Sequence, residues 1–126
     1  MRHVPFRPAI VLFASLCVWT AVTGPSHGQQ AAAVPVPFPA SAWRAIAHGK
    51  PTEAEALAKT RSADDPAAIA VLAHLAIDRG RYSEAIAMLQ PAANRAPLSD
   101  AALELGLVFQ NLGRTGEASQ LLTVLF

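Results

Sequence analysis

The chain repeats itself at a fixed interval. Shifting the sequence by 33 positions lays Ile69, Leu72, Ala73, Ala76, Gly80, Tyr82, Ala85, Leu89 and Ala92 over Ala102, Leu105, Gly106, Phe109, Gly113, Thr115, Ala118, Leu122 and Leu125. A unit of this length cannot bury its apolar side alone, so tandem copies must stack and share a core. Ile69, Leu72, Ala73 and Ala76 stand at i, i+3, i+4 and i+7, as do Ala102, Leu105, Gly106 and Phe109, which is the spacing of one helical stripe. Each unit therefore opens with a helix that has one buried face.

Gly80 and Gly113 follow these stripes at the place where a left-handed residue can end a helix and reverse the chain. A second helix must start at once. Ala85 and Ala118, five residues past each glycine, are small where two antiparallel helices cross near their turn, and Leu89 and Leu122 continue the same face. Pro97 closes the unit, and Ser99 can cap the helix that begins the next one.

A weaker copy lies upstream, where Gly49, Ala54, Ala58 and Pro66 keep the spacing of Gly80, Ala85, Leu89 and Pro97. Thr52 and Glu55 form a T-x-x-E capping box that would open a helix at about Glu53, and Asp65 before Pro66 reads as an N-cap with proline at the first helical position. The spacing predicts six helices, at about 41–48, 53–62, 66–79, 83–95, 99–112 and 115–126. Pro91 falls inside the fourth, where it removes the bond to Ala87 and should kink or shorten that helix. The fold class expected is all-α, with antiparallel helix pairs stacked as a short α-solenoid over residues 42–126.

These residues resemble the tetratricopeptide repeat, a helix-turn-helix module of roughly 34 residues. Leu105, Gly106 and Phe109 match its first-helix signature, and Gly80, Tyr82, Ala85, Leu89, Ala92 and Pro97 match its turn and second helix. The resemblance implies that the first helix of each pair lines a concave surface that holds a protein or peptide partner. Carried over position by position, it assigns that role to Ala70, His74, Ile77 and Asp78 in one unit and to Leu103, Leu107, Gln110 and Asn111 in the next. Family members that clamp a terminal carboxylate place basic residues and Asn on this face, whereas Ala70 and His74 stand at two of those places, which disfavours that ligand. The competing explanation of Leu103, Leu107 and Ile77 is packing between repeats alone.

Composition agrees with helices. Alanine supplies 27 of 126 residues and aromatics only 6%, which favours close helix packing over a sheet-built core. Ten Lys or Arg against nine Asp or Glu leave no basic footprint, so nucleic acid is not an expected partner. The single cysteine, Cys17, excludes an internal disulfide and any cysteine-rich metal site.

The first 28 residues read as a secretory signal. Arg2 and Arg7 precede an apolar run from Ala9 to Val22, Gly24 and Pro25 break it, and Ser26 and Gly28 are small at the places a signal peptidase requires. About 14 apolar residues fall short of the roughly 20 that span a bilayer, so cleavage after Gly28 is favoured over a retained anchor. Leu16 before Cys17 argues against lipidation. Residues 29–41 carry Pro35, Pro37 and Pro39 and read as an extended spacer. The expected location is periplasmic or secreted, without a stable membrane span after cleavage.

Converging chemistry is sparse. His48 and His74 lack the i, i+4 partner or acidic companions of a metal site, Asp64 and Asp65 are accounted for by solvent and a helix cap, and no histidine is spaced to activate a serine. No catalytic residue, cofactor or metal is expected. The function this sequence favours is an exported scaffold or adaptor for another protein. Two alternatives are an accessory N-terminal part of a larger exported enzyme and a self-associating module. The apolar run Leu121-Leu122-Thr123-Val124-Leu125-Phe126 has no polar cap after it, as expected for part of a longer array or for an end that a partner covers.

Overall fold

The computed structural model describes residues 35–126. They form six helices in sequence: α1 (Ala40–Ala47), α2 (Pro51–Lys59), α3 (Pro66–Asp78), α4 (Tyr82–Arg95), α5 (Asp100–Asn111) and α6 (Thr115–Leu125). No strand occurs among the described residues. Consecutive helices pack on one another throughout, and α3 also packs directly on α5, so first helices stack on first helices as in a short solenoid. The signal segment expected at residues 1–28 lies outside the described residues.

Three glycines set the hairpins. Gly49, Gly80 and Gly113 adopt φ of 68°, 74° and 74°, each two residues past the end of a first helix. Every one closes the same double hydrogen bond. Gly80 N–H donates to the Ile77 carbonyl at 2.8 Å, and Arg81 N–H donates to the Ala76 carbonyl at 2.8 Å. Lys50 and Arg114 repeat the longer bond, to Ala45 and Phe109. This arrangement satisfies carbonyls that a helix end otherwise leaves open.

The residue after each glycine is basic and N-caps the next helix. Lys50, Arg81 and Arg114 pair with Glu53, Glu84 and Glu117, three positions on, and each of those acids sits in a first turn where the helix dipole favours negative charge. The motif Gly-Lys/Arg-x-x-Glu-Ala thus occurs in all three pairs. Its closing alanines, Ala54, Ala85 and Ala118, are buried.

The starts of the other helices follow their caps. Asp65 accepts from the Ala67 N–H at 3.0 Å ahead of Pro66, and Ser99 Oγ accepts from the Ala102 N–H at 3.4 Å. The capping box at Thr52 and Glu55 does not form. Helix α2 begins earlier, with Pro51 in its first turn and Lys50 as N-cap, because the turn at Gly49 leaves only one residue before the proline. Glu55 instead accepts from Lys59 at 2.7 Å and from Arg79, just past α3, at 3.0 Å. Helix α4 runs through Pro91 to Arg95 without being shortened. Pro91 and Ala87 are both exposed, so the carbonyl that loses its donor is open to water.

The core divides at α3. On one side Ala42, Ala45, Ala54, Ala58, Ala68, Val71 and Leu75 cluster, with Phe38, Trp43, Ile46 and Leu57 against them. On the other, Ala73, Ala76, Ala85, Leu89, Ala92, Leu105, Val108 and Phe109 form the larger cluster. Helix α3 is therefore buried on more than the one stripe read from the repeat, because α2, α4 and α5 all pack on it. Gly106 marks a close approach: a methyl group there would stand 2.8 Å from Leu122 Cδ2. The proline-rich stretch is non-helical over residues 35–39 and lays Phe38 against the smaller cluster, while Ala40 and Ser41 already belong to α1.

Candidate functional site

The first helices meet through one chain of side chains. His74, in the middle of α3, points its Nδ1 at Glu104 Oε1 of α5, 2.7 Å away. On its other side the indole of Trp43, from α1, meets the imidazole edge-on with ring centroids 5.1 Å apart. Three consecutive first helices thus share one face, with His74 at its centre.

Glu104 is the one buried charged residue among the described residues, at 8% exposure. An ionised carboxylate only accepts, so the Nδ1–H of His74 donates to it. That hydrogen bond holds the His74 imidazole above the ordinary histidine range; partial burial pulls the other way, and the charges of Glu104 and Asp78 add smaller upward pushes. Asp78 Oδ1 lies 3.9 Å from the His74 Nε2, one helical turn on. Among the described residues the ring nitrogens of His74 face carboxylates, Glu104 at Nδ1 and Asp78 at Nε2. Among the described residues no group of three or more His, Cys, Asp or Glu side chains could hold a metal ion, and no helix is long and apolar enough to cross a membrane.

The residues expected on the concave face are only partly at the surface. Asp78, Leu107, Gln110 and Asn111 are exposed, Leu107 to 40%; His74, Ile77 and Leu103 are half-buried. Ala70 is fully buried, at 0% exposure, and offers no surface to a partner, because α3 is enclosed by α2, α4 and α5. Glu104 and Trp43 were not expected on this face. Glu104 carries a readable signal: the 33-residue shift places it over Val71, a buried core position, so a carboxylate there needs a partner.

Charge is sorted between the two kinds of helix. Glu53, Glu55, Asp64, Asp65, Glu84 and Glu117 each pair with a Lys or Arg. The remaining acidic residues of the described chain, Asp78, Asp100 and Glu104, lie on α3 and α5. Those two helices contain no Lys or Arg. Arg79, just past α3, is drawn to Glu55 of α2.

A family model described as tetratricopeptide repeat matches residues 45–105, from the end of α1 into α5. With six stacked helices and three glycine-closed hairpins already in place, the match decides the matter. The helices over those residues are tetratricopeptide repeats. No curated protein and no solved structure matches it. As a tetratricopeptide-repeat protein it carries a type of repeat that serves protein–protein interaction, and the face joined by Trp43, His74 and Glu104 is the one formed by the first helices of its repeats.

Proposed function

We propose that this protein is an exported, non-catalytic interaction module that holds another protein on the face formed by α1, α3 and α5. The observation that carries this reading is the Trp43–His74–Glu104 contact, which joins three first helices into one surface and leaves Leu107 and Asp78 open beside it. An exposed leucine flanked by polar groups supplies contact area with direction. Export rests on the basic and then apolar run of the first 28 residues, and a fusion of that segment to a reporter active only outside the cytoplasm tests it; an inactive fusion would end that half of the reading.

Placing a photo-crosslinking residue at Leu107, and separately at the exposed Ala87 of α4, tests the surface. A discrete protein adduct from position 107 and none from 87 is expected. Adducts of equal yield from both, or from 87 alone, would reject the face.

A second reading, self-association through α6, is favoured by Val124 and Phe126, which stand 58% and 96% exposed. Sedimentation of the chain over a wide concentration range separates the two, since a monomer throughout rules self-association out.

A further inference from the structure

The stripe Asp100, Glu104, Leu107, Asn111 on α5 has its counterpart on α3 in Ala67, Val71, His74 and Asp78, each at i, i+4, i+7 and i+11. Glu104 is buried and hydrogen-bonded to His74 at the centre, so the exposed carboxylates of the face are Asp78 and Asp100. Asp78 closes α3 and Asp100 opens α5, so the two carboxylates stand at opposite ends of the face, about 16 Å apart along the helix direction. Between them lie the exposed Leu107 and the half-buried Ile77. The nearby cations are turned elsewhere: Arg79 is held by Glu55, and Arg44 lines a cleft between α1 and α2 with His48 and Glu53.

We propose that the face shared by α3 and α5 binds an extended protein segment with a basic side chain at each end and apolar side chains between them at every second position, so that all point the same way, its cations held by Asp78 and Asp100 and its apolar groups laid on Leu107 and Ile77. The proposal rests on the reading of this face as the binding surface and adds the chemistry of the partner. Acidic termini at both ends and an apolar middle are complementary to such a segment, and an extended chain of five or six residues spans about 16 to 20 Å. Acidic segments meet like charge at both ends and are excluded.

The test uses the full chain and three fluorescently labelled heptapeptides, each with leucine at the third and fifth positions and serine at the second, fourth and sixth, and with lysine, glutamine or glutamate at both ends, followed by anisotropy. The lysine peptide is expected to bind and to weaken as salt is raised, the glutamine peptide to bind several-fold more weakly, and the glutamate peptide not to bind. The double variant Asp78→Asn/Asp100→Asn, checked for helix content by circular dichroism, is expected to lose roughly fivefold in affinity for the lysine peptide. Lysine-peptide binding that ignores both salt and the double variant would overturn the proposal. Equal binding of the glutamine or glutamate peptide would overturn the basic chemistry while leaving the face a binding surface. Binding of none overturns the proposal too, and the crosslinking at position 107 then judges the wider reading by itself.

Discussion

His74 and Glu104 meet across 30 residues of sequence at 2.7 Å, and each stands where the neighbouring repeat has an apolar residue. The register of His74 is that of Leu107, and the register of Glu104 is that of Val71. One polar pair thus bridges α3 and α5 from two positions that the other repeat gives to apolar residues. Breaking a buried pair costs far more than replacing it. His74→Leu alone leaves the Glu104 carboxylate enclosed without its donor and is expected to cost about 1–3 kcal/mol. The double variant His74→Leu/Glu104→Val copies what the other repeat already uses and should return most of that loss. Urea unfolding of the single and double variants measures both; a single variant as stable as the parent would show that the pair contributes nothing.

The same pair gives stability a pH dependence of known sign. Glu104 holds His74 above the ordinary histidine value of about 6.5, so the folded chain binds this proton more tightly than the unfolded one. The contribution is complete below about pH 6.5 and is lost as pH rises through the raised folded value. Thermal midpoints should therefore fall as pH rises above about 6.5, and Glu104→Gln should flatten that slope. An NMR titration of the His74 ring that returned an ordinary or lowered value would contradict the contact.

Asp65 works in the opposite direction. The hydrogen bond from Arg61 holds its carboxyl below the ordinary aspartate range; burial pushes the other way, and the hydrogen bond from the Ala67 backbone adds a smaller downward pull. That stability is present above about pH 4 and is lost as pH falls through the lowered folded value. Asp65→Asn, which keeps the cap and loses the ion pair, should reduce the acid sensitivity of α3 as followed by circular dichroism between about pH 5 and 2.

At Gly80 the backbone alone sets the penalty. Its φ of 74° is left-handed, and a methyl group added there meets nothing within 4 Å. Gly80→Ala should cost about 1–2 kcal/mol from conformation only, Gly113→Ala the same, and Gly80→Asn less. Unequal losses at Gly80 and Gly113 would show that the two hairpins are not equivalent.

What could be read from the sequence was whatever depends on local chemistry. Gly80, Gly113, Asp65, Ser99 and the small crossing residues Ala85 and Ala118 all do what their spacing requires. The misreadings share a cause. Thr52 and Glu55 matched a capping box, but Pro51 already started the helix and Glu55 had Arg79, 24 residues away, within reach. His74 has two acidic companions, Asp78 at i+4 and, closer, Glu104 one repeat on, and the second is brought to it only by the stacking of α3 on α5. Ala70 was assigned to the surface by a family register that says nothing of how tightly α3 is enclosed. The basic residue after each turn glycine and the glutamate three positions later recur in all three hairpins and add a local ion pair to the register that the glycines and alanines set.

Ala85 and Ala118 hold the same register in two hairpins but not the same surroundings. Ala85 is fully enclosed within the larger core cluster, at 0% exposure. Ala118 is nearly as buried, yet it also lines an open cleft with Gln110, Thr115, Ser119 and Leu122 into which a longer side chain can turn. Overpacking a helix crossing costs about 1–3 kcal/mol. Ala85→Leu should fall at the upper end, lowering the melting midpoint by about 10 °C or more, since each kcal/mol is worth roughly 4–8 °C in a domain of this size. Ala118→Leu should cost distinctly less. Unchanged melting for Ala85→Leu would mean that α3 and α4 do not close over that residue, and the pairing of helices on which the solenoid depends would have to be redrawn.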